Sequence, residues 1–159
     1  MEWERLIRFG LLGDANLEPW AILLVRVALG VFFAISGGNK LFVASRAKVM
    51  YETLVAARIP FPRQMTFCVS AVEFVGGCLL IVGLLSSLAC FALLVNMLVA
   101  ILTTKLSGDI KASPLNWVDD FLYFPEVLYV LFFVWLICSG PGKFSLDRLM
   151  ATRFGPYAG

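Results

Sequence analysis

Histidine is absent from this sequence. Its absence removes the commonest metal ligand, the usual proximal ligand of haem and the side chain that most often serves as a general base near neutral pH. Cysteine adds little: Cys68, Cys78, Cys90 and Cys138 form no C-x-x-C pair, so no zinc ribbon or thioredoxin-like motif is present. They read as small apolar residues of a buried setting. Charge is also scarce, at 15% of 159 residues with a net charge of +2. The basic residues are scattered, which excludes the dense patch a nucleic-acid partner requires. The first twenty residues mix charged and apolar side chains and never form the h-region of a cleavable signal peptide, so the first apolar helix is expected to act as an uncleaved insertion signal. No internal repeat or low-complexity segment interrupts the chain.

What fills the sequence instead is apolar surface, 60% of all residues. It is gathered into runs of about twenty residues, the length an α-helix needs to cross a bilayer core. The expected spans are 20–38, 64–85, 87–104 and 121–139, within one membrane domain covering 1–159. The fold class is therefore all-α, an integral membrane four-helix bundle with short interfacial helices. Trp3, Ile7 and Leu11 recur at helical spacing and predict an amphipathic helix over 2–12. Gly37 and Gly38 are expected to end the first span. The stretch VASRAKVMYETLVAA predicts a helix on the membrane surface, stopped by Pro60 and Pro62. The link near Leu85-Ser86-Ser87 is short enough to make the second and third spans an antiparallel hairpin. Asp119 or Asp120 is expected to cap the fourth span, and the tail from Leu146 to stay at the surface. Four spans put both termini on one side. Lys and Arg divide too evenly between the two sides to fix the orientation by charge.

Few polar residues interrupt the spans. Glu73 lies near the middle of TFCVSAVEFVGGCLLIVGLL, where a carboxylate costs at least about 2.5 kcal/mol unless it is paired, neutral or facing a wet cavity. Glu73, Gly76, Gly77 and Leu80 share one helix face, and two glycines there invite close approach of another backbone. Arg26 shares a face with Gly30, Ala34 and Gly37. Asn96 shares one with Ala89, Ala92, Ala100 and Thr103. At 1.5 Å per residue, Glu73, Arg26 and Asn96 lie about 14, 18 and 12 Å from the long-loop side, and Glu126 about 8 Å. These depths predict a buried cluster in which Arg26 and Glu73 offset each other's charge, with Glu126 and Lys40 nearer the long-loop mouth. Arg26, Glu73, Asn96, Glu126 and Lys40 are thus the candidates for ligand binding or proton relay. Gly30, Gly37, Gly76, Gly77 and Gly83 are the candidates for helix packing. No residue is assigned a catalytic role, and no metal or haem motif is present. The plainer alternatives are an ion pair that fixes helix register, an interhelical hydrogen bond from Asn96, a first-turn carboxylate at Glu126 and an interface anchor at Lys40.

The run RVALGVFFAISGGNKL at 26–41 resembles the first-helix signature of the DoxX-like membrane proteins. AVEFVGGCLLIVGL at 71–84, the proline-rich stretch at 59–62, the third span ending at Lys105 and the closing GPGKFSLD at 140–147 fit the same pattern. The matching positions are Arg26, Gly30, Gly37, Lys40, Glu73, Gly77 and Gly83. The resemblance covers about residues 20–147. It implies a four-helix, multi-pass protein of the bacterial inner membrane. Its relatives include the membrane subunit of an archaeal thiosulfate:quinone oxidoreductase and members linked to oxidative-stress or thiol systems.

Two functional readings follow. In the first, the chain is a membrane subunit associated with redox chemistry, at most part of a quinone-linked oxidoreductase. Its polar cluster holds a quinone head group or relays protons to it, and electrons come from a partner protein. In the alternative it is a non-enzymatic membrane partner or assembly subunit, with the polar cluster purely structural. Transport of a small molecule or lipid through the same cavity is a third, weaker reading. The expected partners are membrane lipids and either another protein or further copies of the chain.

Overall fold

A computed structural model describes Trp3, residues 17–105 and residues 121–154. Helix α1, Glu18–Phe42, starts with Pro19 in its first turn and runs for 25 residues, about 37 Å at the helical rise. It does not stop at Gly37 or Gly38. Those glycines lie inside the helix and serve packing, and the chain turns only at Val43, a single extended residue. Helix α2, Ala44–Ala56, is the surface helix expected from its sequence. A turn holding Arg58 and Phe61 in left-handed conformation leads to α3, Pro62–Val82, with Pro62 at its N-terminal turn. Gly83, at φ +73°, ends α3, and the N–H groups of Gly83 and Leu84 both return to the carbonyl of Leu79. The hairpin then enters α4, Ser86–Ala100, which continues as one wider π turn over Ile101–Lys105. Helix α5, Pro125–Ser139, begins four residues later than the span predicted from position 121, because Phe124 is extended and Pro125 opens the helix. Helix α6, Leu146–Phe154, follows a turn with Gly140 and Gly142 at positive φ. The amphipathic helix expected over 2–12, apart from Trp3, and the cap at Asp119 or Asp120 lie outside the described residues.

Among the described residues, α1, α3 and the 86–103 stretch are long and apolar enough to cross a membrane, and α5 is a shorter apolar helix. The closest pair is α1 against α3, and the sequence dictates why. A Cβ on Gly37 would strike the Phe74 N–H and lie 2.7 Å from the Ser70 carbonyl. One on Gly77 would strike the backbone of Ala34 and lie 2.7 Å from the Gly30 carbonyl, and one on Gly30 would lie 2.9 Å from the Gly77 carbonyl. The two backbones therefore touch along Gly30, Ala34, Gly37 and Gly77, as small residues permit in lipid, where packing and not the hydrophobic effect joins helices. Gly76 points elsewhere, into Leu93 of α4 at 3.1 Å. Leu29, Phe33, Leu80, Leu93, Met97, Phe133 and Leu136 fill the core between α1, α3, α4 and α5. The outer faces carry exposed Leu24, Val31, Ile35, Val75, Phe91 and Leu131, the surface that lipid chains cover.

Candidate functional site

Arg26 and Glu73 do not meet. Both are buried, at 2% and 3% exposure, but their side chains leave the seam in opposite directions. A helical side chain leans toward the N-terminus of its own helix. Helices α1 and α3 are antiparallel, so Arg26 leans toward the terminal side and Glu73 toward the long-loop side. The depth estimate also ended the first span at 38, whereas α1 runs on to Phe42; Gly37 packs against Glu73 and Phe74 while Gly83 lies over Arg26, so the two residues sit at different levels along the seam. The expected Arg26–Glu73 pair is thereby corrected: each residue belongs to a separate polar site.

At the terminal end, Arg26 donates through one guanidinium nitrogen to the Pro141 carbonyl and through the other to the Phe144 carbonyl at 2.6 Å. Gly83 passes directly over the guanidinium: a Cβ there would lie 2.7 Å from it and 2.9 Å from Ser145. Trp20 packs against Phe144 with ring centroids 4.6 Å apart. The tail expected at the surface is tied to the bundle at its start through Asp147. Asp147 accepts from the Leu85 and Ser86 N–H groups at 2.7 Å each, and its own N–H donates to the Gly83 carbonyl at 3.0 Å. Burial opposes the Asp147 charge, but the hydrogen bonds to Ser86 and Leu85, helped by the Arg26 guanidinium, outweigh it and hold its carboxyl below the usual carboxylate range. The clamp also steadies Leu85, which sits at φ 49°, a conformation costly for a residue with a Cβ.

At the other end the carboxylate of Glu73 is held by Lys40. The Lys40 ammonium lies 2.6 Å from Oε2 and 2.8 Å from Oε1. Ser36 Oγ donates to Oε2 at 3.2 Å, and Asn96 Nδ2 reaches Oε1 at a long 3.4 Å. Side-chain lean brings this pair together across the seam. Lys40 points down α1 into the membrane, and Glu73 points up α3 to meet it. Ser36 lies four residues before Lys40 and so shares its face. Sequence reasoning counted Lys40 among the candidates near the long-loop mouth, with an interface anchor as the plainer alternative, but did not pair it with Glu73 and did not single out Ser36. The direction rule, applied to the two antiparallel spans, was the signal that would have found both.

This pair stands at the wall of a cavity of about 570 Å³ between α1, α3, α4 and α5, bounded on the long-loop side by α2. Lys40, Glu73, Ser36 and Asn96 supply the polar wall. Phe32, Phe33, Val69, Met97 and Tyr129 supply apolar and aromatic ones, and Met50, Thr53 and Leu54 of α2 lie across the end. Glu126, in the first turn of α5, also lines it. The structure thus gathers Lys40, Glu73, Asn96 and Glu126 around one space and leaves Arg26 out. The four cysteines are free, with Cys90 buried and the others exposed on the helices.

An antiparallel helical bundle with a backbone-on-backbone glycine seam, exposed apolar faces and a lysine–glutamate pair between its apolar helices defines an integral membrane protein of the helical class. The sequence profile of the DoxX family, described as DoxX, matches residues 21–106, more than half of the chain. The chain belongs to that family. It is 29% identical over 142 residues to the uncharacterized membrane protein Rv3486 of Mycobacterium tuberculosis, covering 85% of this chain and 84% of that protein. No solved structure matches it. The seven positions that carried the resemblance now have three physical jobs. Arg26 and Gly83 form the terminal knot, Gly30, Gly37 and Gly77 form the seam, and Lys40 and Glu73 form the pair at the cavity.

Proposed function

We propose that this protein is a membrane subunit that holds a lipid-soluble carbonyl compound of the quinone type in the cavity beside Lys40 and Glu73. The observation that carries this reading is the make-up of the cavity: one polar wall of Lys40, Glu73, Asn96 and Ser36 facing walls of Phe32, Phe33 and Tyr129. Its volume of about 570 Å³ lies within the range of small-molecule sites. A quinone ring suits aromatic walls, and its oxygens need donors. The Lys40 ammonium and the Asn96 amide are donors. The Glu73 carboxylate is placed to exchange the protons that quinone reduction takes up, and Glu126 offers a second carboxylate on the same space. Electrons come from a partner protein, since the sequence carries no haem or thiol motif of its own. The proposed location is the bacterial cytoplasmic membrane.

The test is equilibrium binding of a short-chain quinone to the purified protein. Replacing Glu73 by Gln, Lys40 by Met or Asn96 by Ala should each weaken binding, about tenfold or more for the charged residues, the value of a charge-assisted hydrogen bond. Unchanged affinity in all three variants refutes the reading. Arg26 favours the alternative, an assembly subunit with structural polar groups, because both terminal nitrogens of its guanidinium donate to backbone carbonyls. That alternative is supported if the Lys40→Met/Glu73→Leu double variant folds, binds no less quinone than the parent and still co-purifies with the parent's partner.

A further inference from the structure

A second concave surface lies behind Lys40, outside the cavity. It is an open groove of about 550 Å³ between the end of α1, helix α2 and the first turns of α3. Lys48, Tyr51, Arg63, Thr66 and Phe67 line it, with Lys40 in the wall it shares with the cavity. The Lys40 ammonium is committed to Glu73, so the charge of the groove comes from Lys48 and Arg63. Among the described residues Arg63 makes no hydrogen bond or ion pair. Lys48 has Glu52 at 3.9 Å, with both side chains mostly in solvent, and such a contact is worth little.

Three features place the groove at the headgroup level of a bilayer. The apolar span of α1 ends at Phe42 and that of α3 begins at Pro62, so Lys40, Arg63 and Thr66 all lie where the spans stop. Phe67 in its wall is 66% exposed, and Phe42 and Phe61, at the ends of the helices that form it, are 76% and 70% exposed. Phe42, at the end of α1, also packs edge to face with Phe74 of α3 at 5.7 Å. Two cations above an exposed aromatic slope match a phosphate with acyl chains below it. A free inorganic anion would use the cations and have no need of the rings.

We propose that the groove between α2 and α3 is a binding site for an anionic phospholipid, with Lys48 and Arg63 on the phosphate and Phe67 against the acyl chains. The experiment is native mass spectrometry of the delipidated protein in detergent micelles holding equal amounts of phosphatidylglycerol and phosphatidylcholine. The parent should retain phosphatidylglycerol preferentially. Lys48→Gln with Arg63→Gln should lower that preference about 25-fold, about fivefold for each basic residue at a membrane surface. Lys48→Arg with Arg63→Lys should keep it, which also shows that the groove tolerates substitution. Arg46→Gln with Arg58→Gln removes the same charge from the same side outside the groove and should change the preference by no more than about twofold. The proposal is overturned if the parent shows no preference, if the Lys48/Arg63 double variant keeps it, if the Arg46/Arg58 variant loses it equally, or if millimolar inorganic phosphate displaces the lipid.

Discussion

Replacing Lys40 by Met should destabilise the protein by about 3 kcal/mol. The figure comes from the geometry of the pair. Both Glu73 oxygens lie within 2.8 Å of the Lys40 ammonium, and the glutamate side chain is only 4% exposed. Removing one partner of a buried pair typically costs about 3–5 kcal/mol, because the other charge is left without compensation. The lower end applies here, since Lys40 retains 24% exposure and Glu73 keeps Ser36 and Asn96. Adding Glu73→Leu to Lys40→Met removes both charges and should recover most of the loss. Reversible unfolding in mixed micelles of parent, single and double variants closes the cycle, with an expected coupling of about 2–3 kcal/mol. The same cycle on Arg26 and Glu73 should give less than about 0.5 kcal/mol, as for groups with no shared partners. A coupling near zero for Lys40 with Glu73, or a larger one for Arg26 with Glu73, refutes the assignment of the pair.

Three further outcomes follow from the same contacts. Gly37→Ala should cost at least about 2–3 kcal/mol or abolish folding, because its Cβ meets the α3 backbone, whereas Gly38→Ala, facing only the Phe74 ring at 3.4 Å, should cost less than about 1 kcal/mol; thermal unfolding of the two variants side by side tests this. Arg26→Leu should lose about 3 kcal/mol in the same unfolding assay by orphaning the Pro141 and Phe144 carbonyls, and Arg26→Lys should restore only part, since one ammonium replaces a planar fork. The Asp147 carboxyl titrates lower when folded than when unfolded, so the stability it adds is complete above the ordinary aspartate value near 3.9 and is lost as pH falls through the lower folded value. Unfolding measured from pH 6 down to pH 2 should show the parent's advantage over Asp147→Asn constant above about pH 4 and vanishing below it.

The sequence alone determined the class of this protein, because that class follows from quantities local to the chain. Run length and composition are enough to say that a helix crosses a membrane, and three helices are long and apolar enough to do so. Gly30, Gly37 and Gly77 were legible as a packing seam from helical spacing, and the surface helix at 44–56 from its charge and its flanking breakers. Lys40, Glu73, Asn96 and Glu126 were legible as candidates because polar groups at membrane depth need a reason. What only the tertiary structure decided is which of them meet. Level along the bilayer normal is a property of one helix, but contact depends on how two helices run and where each side chain leans. The register of antiparallel α1 and α3 sets Arg26 level with Gly83 and Glu73 level with Gly37, gives Glu73 to Lys40, and leaves Arg26 to the Pro141 and Phe144 carbonyls of a loop more than a hundred residues away in sequence. Asp147 could not be read as the clamp on Leu85 and Ser86 for the same reason: a hydrogen bond between distant segments exists only once the bundle has brought them together.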